Sequence, residues 1–228
     1  AQTQEASGTV PAPVLAALPA PCNLRMTGLG SLPDAALPFA LRPAGYGGGG
    51  RFTSIAFDAS SPGVQFIGSD VAGIFQSSDA GNSFQLNGKD LEGFTVADVQ
   101  QNPLNPEQML LLTDDGLYTS TDHGGSWKKQ SAQIRYASRY PGSHLFAASQ
   151  DSIWVATDAE GVFKLAPTAS GLQTQRLTGL ETISTTSLNY HQGILYAGTL
   201  QGVYRHVNSS WEPFNSGLGT GSREIVDM

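Results

Sequence analysis

From Phe66 onward the chain repeats itself about every 43 residues, and that period leaves few folds open. The unit is an alternating strand, a tight turn and a second strand. It runs Phe66-Ile67-Gly68-Ser69-Asp70-Val71-Ala72-Gly73-Ile74-Phe75 and returns as Leu110-Leu111-Leu112-Thr113-Asp114-Asp115-Gly116-Leu117-Tyr118. Two more copies follow, Trp154–Phe163 and Leu195–Tyr204. The turn glycines Gly73, Gly116, Gly161 and Gly202 are spaced 43, 45 and 41 residues apart. A unit of that length cannot bury its own apolar face, so copies must stack. Each copy divides into four short strands, here A to D, whose apolar residues alternate or run together as stacked sheets require. Short strands at this period predict an all-β propeller of four-stranded antiparallel blades.

The predicted blades span about 51–90, 94–131, 134–178 and 183–216, and 222–228 starts a fifth inner strand. In the third blade, Tyr136–Arg139 and His144–Ala148 both qualify as strand A. About four blades and one strand make an incomplete ring the favoured reading, with further blades in a longer chain. The other reading has the last strand closing a small ring against another segment. Residues 1–46 are rich in Ala, Pro and Leu, with Pro11, Pro13, Pro19 and Pro21 breaking any helix. They form a leader or linker, and the domain proper occupies 47–228, after the boundary at Gly47-Gly48-Gly49-Gly50.

Charge removes several classes of function. The 12 Lys and Arg against 19 Asp and Glu give a formal net charge of -7. Nucleic-acid binding depends on neutralising phosphates, and this balance opposes it. No stretch reaches the roughly 20 apolar residues of a membrane-spanning helix, so no membrane insertion is expected. The start Ala1-Gln2-Thr3 resembles the product of signal-peptide cleavage, which points to a secreted or periplasmic protein. Cys22 is the only cysteine, so the chain has no internal disulfide. His123, His144, His191 and His206 lack ligand spacing, and neither a metal nor a cofactor is expected.

Two segments carry the Ser-x-Asp-x-Gly-x-x-aromatic pattern one repeat apart, each after a C strand. They are Ser77-Ser78-Asp79-Ala80-Gly81-Asn82-Ser83-Phe84 and Ser120-Thr121-Asp122-His123-Gly124-Gly125-Ser126-Trp127. Residues 47–228 thereby resemble the Asp-box, or BNR-repeat, propellers. These include sialidases, family 74 glycoside hydrolases (xyloglucanases), sortilin-like receptors and photosystem II assembly factors. The resemblance implies a structural box: Ser77, Asp79, Gly81 and Phe84, then Ser120, Asp122, Gly124 and Trp127, fold the C-to-D turn and pack its aromatic. The third and fourth repeats have lost the box. Gly47–Phe52 and Gly68–Phe75 look most like the first blade of the family 74 enzymes, which implies that Asp70 stands where one catalytic carboxylate stands.

Strand order sorts the loops. B-to-C turns and D-to-A connections emerge at one end of a blade, C-to-D turns at the other. Asp70 therefore shares an end with Asp114, Asp115, Asp158 and Glu160, a candidate ligand-binding face with an acidic rim. Glycoside hydrolysis needs two carboxylates about 5–9.5 Å apart. In family 74 the second comes from another propeller, which this chain lacks. Sialidase chemistry is opposed by the missing Arg-Ile-Pro motif. The expectation is a binding or assembly scaffold whose ligand is a carbohydrate or another protein. The alternative is the N-terminal part of a family 74-like hydrolase acting on a β-glucan such as xyloglucan.

Overall fold

The computed structural model describes residues 50–138, 144–168, 171–219 and 224–225. Within them the chain is all β, with four four-stranded antiparallel sheets and no helix. Blade 1 holds β1 (Phe52–Phe57), β2 (Gln65–Ser69), β3 (Gly73–Ser77) and β4 (Gln85–Leu86). Blade 2 holds β5 (Val96–Gln101), β6 (Met109–Thr113), β7 (Leu117–Ser120) and β8 (Lys128–Ser131). Blade 3 holds β9 (Phe146–Ala148), β10 (Ile153–Ala156), β11 (Val162–Thr168) and β12 (Gly171–Leu177). Blade 4 holds β13 (Thr185–His191), β14 (Ile194–Thr199), β15 (Gly202–Val207) and β16 (Ser210–Pro213). Each sheet is a meander in chain order, the arrangement of propeller blades. The described residues form no closed ring.

The registers show why the period is so regular. In blades 1, 2 and 4 the inner strand shifts register after its first residue, at Phe52/Ser54, Val96/Asp98 and Thr185/Ser187. Such a bulge bends a strand and redirects its side chains. Beyond it, Ile55 opposes Ile67, Val99 opposes Leu111 and Leu188 opposes Ala197. Phe146 and Val155 hold the same place in blade 3. One apolar row thus recurs across every blade.

Stacking these rows makes the core. Ala56, Phe66 and Ile74 of blade 1 pack against Val96, Val99, Leu111 and Tyr118 of blade 2. A second cluster joins Leu110, Leu112 and Leu117 of blade 2 through Phe146, Val155 and Phe163 to Leu188 and Ala197 of blade 4. Burial of these apolar faces, not hydrogen bonding between blades, is the main favourable term.

Some boundaries differ from those read in the sequence. The outer hairpin of blade 3 is longer than the 162–165 and 174–177 expected, because β11 and β12 pair from Val162↔Leu177 out to Thr168↔Gly171. Of the two candidates for its inner strand, Phe146–Ala148 pairs with β10. Tyr136 instead donates its N–H to Thr113 O at 2.9 Å, and Arg139 lies outside the described residues. The 1–46 segment also lies outside them, as does all of 222–228 except Glu224 and Ile225.

Candidate functional site

The two ends of the blades place the sequence candidates as strand order requires. At one end, the turns from β3 to β4 and from β7 to β8 are built alike. Ser77 Oγ donates to Asp79 Oδ1 at 2.8 Å and accepts the Gly81 N–H at 2.8 Å. Asp79 accepts the Ser83 N–H at 2.9 Å and its hydroxyl at 2.7 Å. Ser120, Asp122, Gly124 and Ser126 repeat every one of these bonds at 2.7–2.9 Å. The Ser83 hydroxyl, the Ser83 N–H and Ser77 hold the Asp79 carboxyl down to about 2. Asp122 is lowered too, mainly by the Ser126 hydroxyl. Both carboxylates are permanently ionised acceptors inside their own turns, which disqualifies them as proton donors near neutral pH.

The second of these turns also clamps blade 2 onto blade 1. Gln76 Nε2 donates to His123 O at 2.6 Å, and Asn87 Nδ2 to Gly124 O at 2.5 Å. His123 Nδ1 lies 2.7 Å from the buried Asp58 carboxylate. Trp127 meets the Phe66 ring edge-on at 6.1 Å. Gly124 has φ +81, and a Cβ there would run into the Phe66 ring. The position thus needs glycine for two reasons, conformation and space.

The opposite end holds the acidic turns. Asp70 Oδ1 accepts the Arg51 N–H at 2.8 Å, and Asp70 O accepts the Thr95 hydroxyl at 2.9 Å. Asp70 N–H also donates to Arg51 O at 3.0 Å, and Asp114 repeats this two-way contact one blade on, with Thr95 N–H at 3.3 Å from Oδ1 and Asp114 N–H donating to Thr95 O at 3.0 Å. Each of these carboxylates ties a turn to the strand that leads into the same blade. Asp115 sits in a closed network of Thr113 Oγ1 at 2.5 Å, Tyr118 OH at 2.7 Å and Lys129 Nζ at 2.7 Å. Burial pushes its carboxyl up, but Lys129, Thr113 and Tyr118 together outweigh that and lower it. Lys129 also reaches Glu92 at 2.6 Å. Glu160 pairs with Arg176, and Asp158 is half-buried in the same turn. The acidic rim is therefore largely engaged, by backbone donors at Asp70 and Asp114 and by cations at Asp115 and Glu160.

A third region was not legible in the sequence. The inner strands β1, β5, β9 and β13 line a cavity of about 780 Å³. Its wall combines the exposed Ile55 and Phe57 with Gln100, His144, Asn189 and Tyr190, the last stacked on Trp154 at 5.1 Å. Asp98, only 8% exposed, lies at the bulge of β5. Burial pushes its carboxyl up to about 6, against the pull of N–H groups from Leu145, Val99 and Phe146 and of the His144 charge. The Leu145 N–H reaches Asp98 Oδ2 at 2.8 Å, so this side chain joins blade 2 to blade 3. The available signal was one carboxylate inside the otherwise apolar run Val96–Val99. Among the described residues no cluster of His, Cys, Asp and Glu could hold a metal ion.

No protein-family model matches the chain, and no curated protein matches its sequence. Solved structures do share its fold. The extracellular domain of a one-component system from B. thetaiotaomicron superposes with a TM-score of 0.62 at 15% identity, over 82% of this chain and 26% of that one. An ancestral GH74 enzyme gives 0.56 at 21% identity, over 75% and 25%. The GH74 xyloglucanase of Xanthomonas campestris gives 0.51 at 20% identity, over 70% and 29%. The chain spans about a quarter of the length of each of these structures. At such identities the likeness is one of architecture: this chain is a β-propeller in its fold.

Proposed function

We propose that the chain is an exported Asp-box propeller acting as a binding or assembly scaffold, with a carbohydrate or protein ligand at the Asp70 end. One observation carries this reading. The carboxylates there are spent on the scaffold, as turn caps at Asp70 and Asp114 and as ion pairs at Asp115 and Glu160. A hydrolase needs one carboxyl free to donate a proton and another free to act as base or nucleophile. The Asp79 and Asp122 turns, with their shared bonding, support the Asp-box assignment. Export is in keeping with the likeness to an extracellular domain.

A second reading is the N-terminal part of a family 74-like hydrolase. What favours it is Asp70 itself, whose carboxylate takes the Arg51 N–H on Oδ1 and, among the described residues, shows no hydrogen bond on Oδ2. Incubating the full-length gene product, which would carry any second propeller, and its Asp70→Asn variant with xyloglucan, and measuring new reducing ends, separates the two. The scaffold reading expects no turnover from either protein. Turnover by the parent that is lost in the variant overturns it.

A further inference from the structure

The turn from β7 to β8 seats in a polar groove on blade 1. Gln76 Nε2 donates to His123 O at 2.6 Å, and Asn87 Nδ2 donates both to Gln76 Oε1 and to Gly124 O. The two accepting carbonyls are successive, and both residues have positive φ, 55 and 81. Gly125 of the same turn completes the lining of this groove, whose other lining residues belong to blade 1.

Blade 2 carries the same groove without such an occupant. Register sets Thr119 opposite Lys128 as it sets Gln76 opposite Gln85, and each pair lines its own groove. Gln130 Nε2 donates to Thr119 Oγ1 at 2.9 Å, as Asn87 does to Gln76. In blade 3 the corresponding connection, between β11 and β12, has no Ser-x-Asp-x-Gly sequence, and the strands pair out to Thr168↔Gly171 instead. No described residue of blade 3 lines the groove on blade 2, which measures about 380 Å³ against about 260 Å³ on blade 1. Blade 2 is packed against a neighbour on both faces, so the open ends of the stack do not account for this space.

The wall of the groove is rich in donors. Thr119 is only 6% exposed; its oxygen accepts Gln130, and among the described residues its own proton has no acceptor. Gln108 turns Oε1 to Asn102 Nδ2 at 2.7 Å, and among the described residues its amide N–H groups have no acceptor either. Lys128, the counterpart of the neutral Gln85, is exposed and has no carboxylate partner among the described residues. Unpaired donors at a buried wall are costly, and a ligand that brings acceptor oxygens removes the cost.

We propose that this groove on blade 2 is a second binding site, for an acidic peptide turn supplied by a partner protein. Backbone carbonyls of that turn accept from Thr119 and Gln108, as His123 O and Gly124 O accept from Gln76 and Asn87 on blade 1, and a carboxylate of the turn pairs with Lys128. The space is within the ~300–1,000 Å³ of ordinary ligand sites. Thr121 and Ser126 of the β7-to-β8 turn border it, so it lies at the end of the blade opposite Asp70 and does not depend on what binds there.

The test uses a backbone-cyclised peptide, Ser-Thr-Asp-Glu-Gly-Gly-Ser-Trp, which copies the β7-to-β8 turn with glutamate in place of histidine. Titrated into the isotope-labelled chain, it should shift the amide signals of Thr119, Lys128 and Gln130 saturably, with a Kd below ~1 mM. Thr119→Val keeps the shape of the wall but removes the hydroxyl, and should weaken binding at least about threefold. Lys128→Met changes an exposed position, leaves the fold intact and should weaken binding about twofold to fivefold. No saturable shift at these amides, or undiminished binding by either variant, overturns the site. So does a response of the same amides to cellotetraose and not to the peptide, which would make the groove a carbohydrate site.

Discussion

Replacing Asp98 by asparagine gives the most quantitative test of how the blades are joined. The Asp98 carboxyl is buried at a blade junction and titrates near 6 instead of 3.8. A folded-state value above the unfolded one means that the folded protein holds the proton more tightly. Its contribution to stability is therefore full below about pH 4 and is lost as pH rises through about 6. The displacement from 3.8 to about 6 corresponds to ~3 kcal/mol. Asparagine keeps an acceptor oxygen for the Leu145 N–H, 2.8 Å away in the parent, and cannot ionise. Urea titrations of both proteins at a series of pH values between about 3.5 and 7.5 isolate the effect, because other groups cancel in the difference. The stability of the parent relative to the Asp98→Asn variant should fall by ~3 kcal/mol across that range, a relative midpoint shift of roughly 1–3 M urea. His144 is the neighbour whose charge offsets the burial. In a His144→Asn background the fall should be larger, since asparagine tolerates the positive φ of 55 at that position but supplies no cation. A stability difference between parent and Asp98→Asn variant that does not change with pH would refute the account.

Other expectations concern the clamp between blades 1 and 2 and the acidic rim. Gly124→Ala forces a side chain into positive φ and against Phe66, and should cost roughly 2–4 kcal/mol in urea unfolding. Gly193→Ala, with the same backbone sign and open space, should cost only about 1–2 kcal/mol. The His123–Asp58 contact raises the imidazole, chiefly through the hydrogen bond to Asp58. Its contribution is present below the ordinary histidine value and fades as pH rises through the raised one, so His123→Ala should lower Tm more at about pH 5.5 than at about pH 9. Lys129→Met should make the Asp115 carboxyl titrate higher, because Lys129 heads the interactions that lower it against burial. A carboxylate NMR titration of Asp115 checks this, and an unchanged midpoint counts against the network.

Much of the fold was legible because it follows from local rules. Turn glycines and alternating apolar residues mark a strand pair wherever they recur, so the four blades and the placing of Asp70 and Asp79 at opposite ends needed only strand order. The Asp79 and Asp122 turns were anticipated only through the resemblance their motif carries; in the structure the groups that bond each carboxylate lie within four residues of it. Asp98 was not, because its environment comes from Leu145 and His144, residues on the next blade and 46–47 positions away. The same holds for Ile55 and Val99. Both are apolar strand residues at one register position, and nothing within their own blades says that one is exposed and the other buried. Only the stack decides that. The junctions, unlike the blades, vary in chemistry: Thr-Ser over Gly at blades 1 and 4, Ala-Asp over Leu at blade 2, His-Leu over Ala at blade 3. The first kind leaves the Ser54 and Ser187 hydroxyls buried without a partner among the described residues, while Asp98 fills the same place with a carboxylate that reaches the next blade. The repeat therefore specifies the blade, while each junction is fastened by its own residues: Asp98 between blades 2 and 3, and Gln76, Asn87 and the His123–Asp58 pair between blades 1 and 2.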